Sequence, residues 1–108
     1  MEQIVGNQKP CYSIACRQNA GQYPMYRTKD GGVSVMLFTT IERAQRFIES
    51  KGQSENWYVG QMTQTEAADW LREAMTRNGA SHVTRDPDPD QAEYSMAPIF
   101  TILVELEG

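Results

Sequence analysis

The chain has little of what catalytic and metal sites are usually built from. Its 108 residues include one histidine, His82, and two cysteines, Cys11 and Cys16. Together these fall one ligand short of a four-coordinate zinc site of the Cys/His kind. As a general base His82 would need an orienting partner, and Arg85 and Asp86 are near it only in sequence. The C-x4-C spacing of the cysteines fits neither a C-x2-C redox pair nor a zinc knuckle. In one extended strand, five steps of about 3.3 Å would separate them by roughly 16 Å. A disulfide needs Cα atoms within about 7 Å, so both read as small buried hydrophobes with free thiols. No Ser-His-Asp or Cys-His arrangement and no paired catalytic carboxylates stand out, and no cofactor is indicated.

Other absences narrow the partners. No apolar run approaches the roughly 20 residues of a membrane helix, so no membrane association is expected. The first ten residues lack the basic and apolar regions of a secretory signal, which with two cysteines predicts a cytoplasmic protein. A contiguous basic stripe is missing too: Arg43, Arg46, Arg72 and Arg77 are interleaved with Glu and Gln, so nucleic acid is not an expected partner. The net charge is −4, and residues 86–108 hold six acids and no base. The composition, 40% hydrophobic and 22% charged, is that of a folded protein, and the length suits one domain spanning 1–108.

What is present is concentrated between Val33 and Gly79. Val33-Ser-Val-Met-Leu-Phe runs into Thr39 with Glu42 three residues later, and Trp57-Tyr-Val-Gly-Gln-Met runs into Thr63 with Glu66 three residues later. Each reads as a strand followed by a capping box and a helix, in which the Thr hydroxyl and the Glu carboxylate satisfy backbone donors reciprocally. The helices are expected at about Thr40–Lys51 and Gln64–Asn78, each ending at a glycine (Gly52, Gly79) suited to a left-handed cap. The segment Leu37-Phe-Thr-Thr…Ala44…Phe47 resembles the small α+β domains of SseB-type bacterial proteins, and the likeness implies this strand–cap–helix unit and no activity.

The flanks are read as follows. Residues 1–10 form a loose arm ended by Pro10, and Cys11–Arg17 a first strand. Residues 18–32 are turn-rich, culminating in Asp30-Gly31-Gly32, and predict a long hairpin connection to the strand at Val33. Ser81–Arg85 is at best an edge strand. Residues 86–98 are an acidic Pro-rich loop, since Asp86-Pro-Asp-Pro-Asp suits neither a helix interior nor a central strand. Its 1-3-5 aspartates lack the Gly and Glu that a calcium loop requires, so no metal site is assigned. The apolar run Ile99–Leu106 predicts a buried last strand. The expected fold is α+β: a two-layer sandwich with a mixed sheet of four or five strands, element order β-β-α-β-α-β-β, and two helices packed on one face.

Two such helices would leave the second sheet face bare. The expected function is a non-enzymatic protein–protein interaction or regulatory module, and the bare face predicts that it self-associates as a homodimer. Its candidate interface residues are Tyr23, Met25, Tyr26, Trp57, Tyr58, Tyr94 and Met96, of residue types enriched at interface cores. The alternative is a small-molecule-binding domain or enzyme, with a pocket at the carboxyl ends of the parallel strands where Thr39, Gly60 and Thr63 would converge.

Overall fold

The structure, a computed structural model, describes residues 10–19, 21–52, 54–91 and 94–107, so residues 1–9 of the expected arm lie outside it. The elements in chain order are β1 (Cys11–Cys16), β2 (Met25–Arg27), β3 (Val33–Leu37), α1 (Ile41–Ser50), β4 (Trp57–Met62), α2 (Gln64–Asn78), β5 (His82–Arg85), β6 (Met96–Pro98) and α3 (Ile99–Glu107). The fold is α+β, with helices packed on a mixed sheet.

The central sheet has the order β2-β3-β5-β6, with β3 and β5 parallel and the outer pairs antiparallel. The expected hairpin therefore joins β2 to β3, not β1 to β3. Its turn uses Gly31 at φ +86°, and Thr28 N–H donates to the Gly32 carbonyl at 3.0 Å. β1 instead pairs along its whole length with β4, and Tyr12 makes an isolated antiparallel bridge to Phe38, just past the end of β3. β5 is an interior strand, contrary to its polar appearance, because β6 covers its outer edge. Its buried Thr84 needs no water: the Ser34 hydroxyl meets it at 2.8 Å on the neighbouring strand.

The largest departure is residues 99–107, which form a helix rather than a last strand. Ile99, Ile102 and Leu103 are buried, with Leu106 half-buried against the same core, at the i, i+3, i+4, i+7 spacing of one helical face. A short apolar run rich in β-branched residues satisfies strand and helix patterns alike, and packing decides between them.

Nor do the helices share one face. Val35, Leu37 and Val83 point into a core completed by Ala67, Leu71 and Ala74 of α2 with Ile99, Ile102 and Leu103 of α3. Met36 and Phe38, on the other face of β3, pack with Ala44, Phe47 and Ile48 of α1 and with Ile14 of β1. The alternation that puts apolar residues on both sides of β3 is thus answered by helices on both sides. The second face is covered from within the chain, which removes the bare-face reason for a dimer.

The helix starts differ in one respect from expectation. Thr63 and Glu66 form a complete capping box: Glu66 N–H donates to Thr63 Oγ1 at 3.0 Å, and Thr63 N–H donates to Glu66 Oε1 at 2.9 Å. At α1, however, the cap is Thr40, whose hydroxyl accepts from Arg43 N–H at 3.2 Å. Thr39 is released for another task. At the helix ends, Gly79 caps α2 at φ +68° and Gly52, just past the Lys51 cap of α1, lies at φ +67°.

Candidate functional site

Three surface features hold residues that chemistry or recognition could use. The first lies at the carboxyl ends of the parallel strands β3 and β5. Thr39 follows β3, and both its N–H and its Oγ1 donate to the Asp86 carboxylate, each at 2.8 Å. Asp86 sits at φ +49°, a left-handed backbone that aspartate tolerates better than most residues, and its own N–H donates to the Leu37 carbonyl at 2.9 Å. Arg43 reaches the same carboxylate at 3.1 Å, while Arg46 pairs with Asp90 at 2.8 Å and approaches Asp88 at 3.9 Å. The acidic loop is therefore docked on the arginines of α1, with Pro87 buried, instead of standing free in water. A polar cavity of about 330 Å³ lies against Arg43, Arg46, Asp86 and Asp88.

Thr39 is accordingly where a strand-end pocket would place it, but Gly60 and Thr63 are not with it. Gly60 faces Ser13 across the β1–β4 pair, where an added Cβ would meet Ser13 Oγ at an ordinary 3.5 Å. Thr63 is occupied by its own cap. Neither lines this cavity.

The second feature is an apolar cleft of about 230 Å³ between α1 and the β1–β4 pair. Ile14, Phe47, Ile48 and Trp57 line it, with Pro24 and Tyr26 at the side and Lys51 at its rim. The Lys51 ammonium stands 5.5 Å from the centre of the Phe47 ring. Tyr26 and Lys51 also line a wider cavity of about 610 Å³, shared with Arg27, Lys29, Tyr94 and Met96. Tyr26 and Tyr94 are in ring contact at 5.3 Å. Burial, helped by the Tyr94 phenol beside it, pushes the Tyr26 phenol well above its usual range.

The third is the outer side of α3, where Phe100 is 67% and Val104 is 71% exposed. They are one turn apart on a helix whose opposite side is core. The carboxylates of α3 are held within the chain, Glu105 by Arg85 and Glu107 by Arg72. Reading Ile99–Leu106 as a strand hides this pair; the helical spacing of Ile99, Ile102, Leu103 and Leu106 is the signal that would have exposed it.

The expected interface residues are dispersed among these features. Tyr23 packs on Trp70 at 4.9 Å and its hydroxyl accepts from Asn78 Nδ2 at 2.7 Å. Tyr26, Trp57 and Tyr94 pack against the α1 core, and Met96 lines the wider cavity. Tyr58 lies half-buried opposite Ala15, and Met25 is exposed on β2. His82 is half-buried, with Nδ1 at 2.7 Å from the Ser81 hydroxyl. Among the described residues no cluster of three His, Cys, Asp or Glu side chains is placed to hold a metal ion, and no helix is long and apolar enough to cross a membrane.

Comparison of the chain with protein-family models and with curated proteins finds no similar sequence.

Proposed function

We propose that the chain is an interaction module rather than an enzyme, and that it associates with a second copy of itself through the outer side of α3. The observation that carries this reading is the exposure of Phe100 and Val104, 67% and 71%, one turn apart on the side of the helix away from its core residues Ile99, Ile102 and Leu103. Each large apolar side chain left in water forgoes roughly 1.5–3 kcal/mol. Among the described residues Met25 and Ile41, the other exposed large hydrophobics, occur singly on β2 and α1.

A second copy fits the face. In an antiparallel two-fold pair of α3 helices, Phe100 of one protomer would meet Val104 of its partner, a self-complementary contact of the kind a two-fold requires. The α3 helix carries Glu105 and Glu107 with no base of its own in its last turn, but Arg85 and Arg72 already hold these acids. The two helices could therefore meet without uncompensated like charge. Two side chains make an interface core rather than a whole interface, which typically buries about 1,600 Å². Elsewhere Asp86, Asp88 and Asp90 are engaged with arginines and His82 with Ser81. The free thiols of Cys11 and Cys16 suit a reducing compartment such as the cytoplasm.

The test is light scattering after size exclusion, on the parent and on Phe100→Glu and Val104→Glu. The parent is expected at twice its 12.2 kDa chain mass and both variants at the chain mass, with unchanged circular dichroism. A parent that stays at 12.2 kDa at high micromolar concentration would refute self-association.

A further inference from the structure

A groove between α2 and the turn that leads into β2 joins aromatic rings to planar polar groups. Trp70, Glu73, Arg77 and Asn78, at the i, i+3, i+7, i+8 spacing of one helical face, form one wall. Gly21 and Tyr23 form the other, around a cavity of about 380 Å³. A second cavity of about 360 Å³ adjoins it, sharing Gly21, Tyr23 and Asn78 and adding Met25 and Trp57. Tyr23 and Trp70 are half-buried, with ring centres 4.9 Å apart and planes tilted by 59°.

The polar groups have hydrogen bonds to spare and little net charge. Asn78 Nδ2 donates to the Tyr23 hydroxyl at 2.7 Å, which leaves the phenol its own proton to donate and Asn78 Oδ1 to accept. Arg77 Nε pairs with Glu73 Oε1 at 3.3 Å, while the other guanidinium N–H groups and Glu73 Oε2 take no part in that contact. Burial pushes the Tyr23 phenol up, with Asn78 lowering it in part and Glu73 raising it, so it stays a neutral donor. Among the described residues lining the two cavities there is one acid and one base, and they offset each other. An ion of either sign gains little there.

The ring geometry narrows the ligand further. Rings tilted by 59° are not the parallel walls that would clasp a flat base or arene. A pyranose with equatorial hydroxyls suits them better. Its axial C–H groups form an apolar face for the rings, and its hydroxyls, each donor and acceptor, reach outward to amide, carboxylate and guanidinium. Pockets for drug-sized ligands measure about 300–1,000 Å³. Two adjoining cavities in the lower part of that range suit a short chain of sugar rings rather than one.

We propose that this groove binds a neutral oligosaccharide of equatorial pyranose rings, seated on Tyr23 and Trp70 and hydrogen-bonded by Asn78, Glu73 and Arg77. None of these residues belongs to α3, so the proposal stands or falls independently of the dimer.

The test titrates the full chain with cellotetraose and follows proton–nitrogen correlation spectra, with sorbitol and adenosine as contrasting probes. Cellotetraose is expected to shift the Trp70 indole N–H and the Asn78 side-chain amide saturably. Sorbitol, which has the hydroxyls but no apolar face, should give no saturable shift, and adenosine should bind more weakly than cellotetraose. Tyr23→Phe keeps the ring and drops the hydroxyl, and Asn78→Ala lies at an exposed position. Followed at Trp70, each should weaken cellotetraose about two- to tenfold, the range of one hydrogen bond. The Trp70 signal should respond equally in Phe100→Glu, whatever its oligomeric state. The proposal is overturned by an absence of saturable shifts, or by shifts centred on the Ile14–Phe47 cleft or on α3. Sorbitol or adenosine binding as tightly as cellotetraose overturns it too, as does Tyr23→Phe or Asn78→Ala leaving the affinity unchanged.

Discussion

Replacing Asp86 with alanine removes the tie between the end of β5 and the start of α1. Two donors from Thr39, each at 2.8 Å, lose their acceptor, and one of them is a backbone N–H. A hydrogen bond to a charged acceptor contributes about 1.5–3 kcal/mol, and partial solvent access puts these two near or below the lower end, so together roughly 2–3 kcal/mol. The Asp86 side chain is only 13% exposed, whereas Arg43 is 63% exposed and its pairing adds little. Alanine also inherits the φ of +49°, which costs a residue with a Cβ about 1 kcal/mol. The expected loss for Asp86→Ala is about 3 kcal/mol, or a melting temperature lower by roughly 12–24 °C for a domain of this size. Asp86→Asn tolerates the backbone and can still accept one bond, so about 1.5 kcal/mol is expected. Asp86→Gly relieves the backbone but restores neither bond and should fall between the two. Urea unfolding of the three variants, at constant slope, gives the order Asn, Gly, Ala from most to least stable. A loss below about 1 kcal/mol for Asp86→Ala would refute the reasoning, since surface changes alone reach about 0.5 kcal/mol. So would finding Gly less stable than Ala. Thr39→Ala combined with Asp86→Ala should cost less than the sum of the two, because they share one interaction.

The remaining predictions concern the caps and alkaline pH. Thr63→Ala and Thr40→Ala should each lower stability by about 1 kcal/mol in the same urea assay, because each strips the acceptor from a helix start; equal midpoints would place the helix starts elsewhere. Burial raises the Cys11 thiol, Arg85 lowering it in part, and burial followed by Tyr94 raises the Tyr26 phenol. Both are acids whose protonated form the fold favours, so the unfolded chain releases its protons first, as pH passes the ordinary values of about 8.5 and 10. Above those values the native state binds more protons and stability falls as pH rises, while below them the contribution is complete. Urea midpoints taken from about pH 8 to pH 11 should decline, and Tyr26→Phe should flatten the upper part of that decline; a flat parent profile would contradict it.

How much of this was legible beforehand depends on how local the cause is. The strand from Trp57 to Met62, the helix from Gln64 to Asn78, its Thr63–Glu66 box and its Gly79 cap are each specified by residues within one turn of one another, and all are found where the sequence places them. The α+β class follows from the same local signals. Thr39 was misread as the cap of α1 because Thr39 and Thr40 are adjacent and chemically alike. What separates them is Asp86, 47 residues away, which takes Thr39.

The candidate sites were less legible. Ile99–Leu106 carries both a β-branched run and a helical face, and only the core offered by Leu71, Ala74 and Val83 selects the helix. That choice turns Phe100 and Val104 outward and creates the proposed docking face. The cleft is further from sequence still: Ile14, Phe47 and Trp57 come from a strand, a helix and another strand, and Tyr26 at its side comes from a third strand. The chain alone determined the elements and their caps, since backbone hydrogen bonding and periodicity act over three to five residues. Tertiary structure decided which faces are buried and which side chains converge, because burial and charge pairing act between residues that no sequence spacing relates.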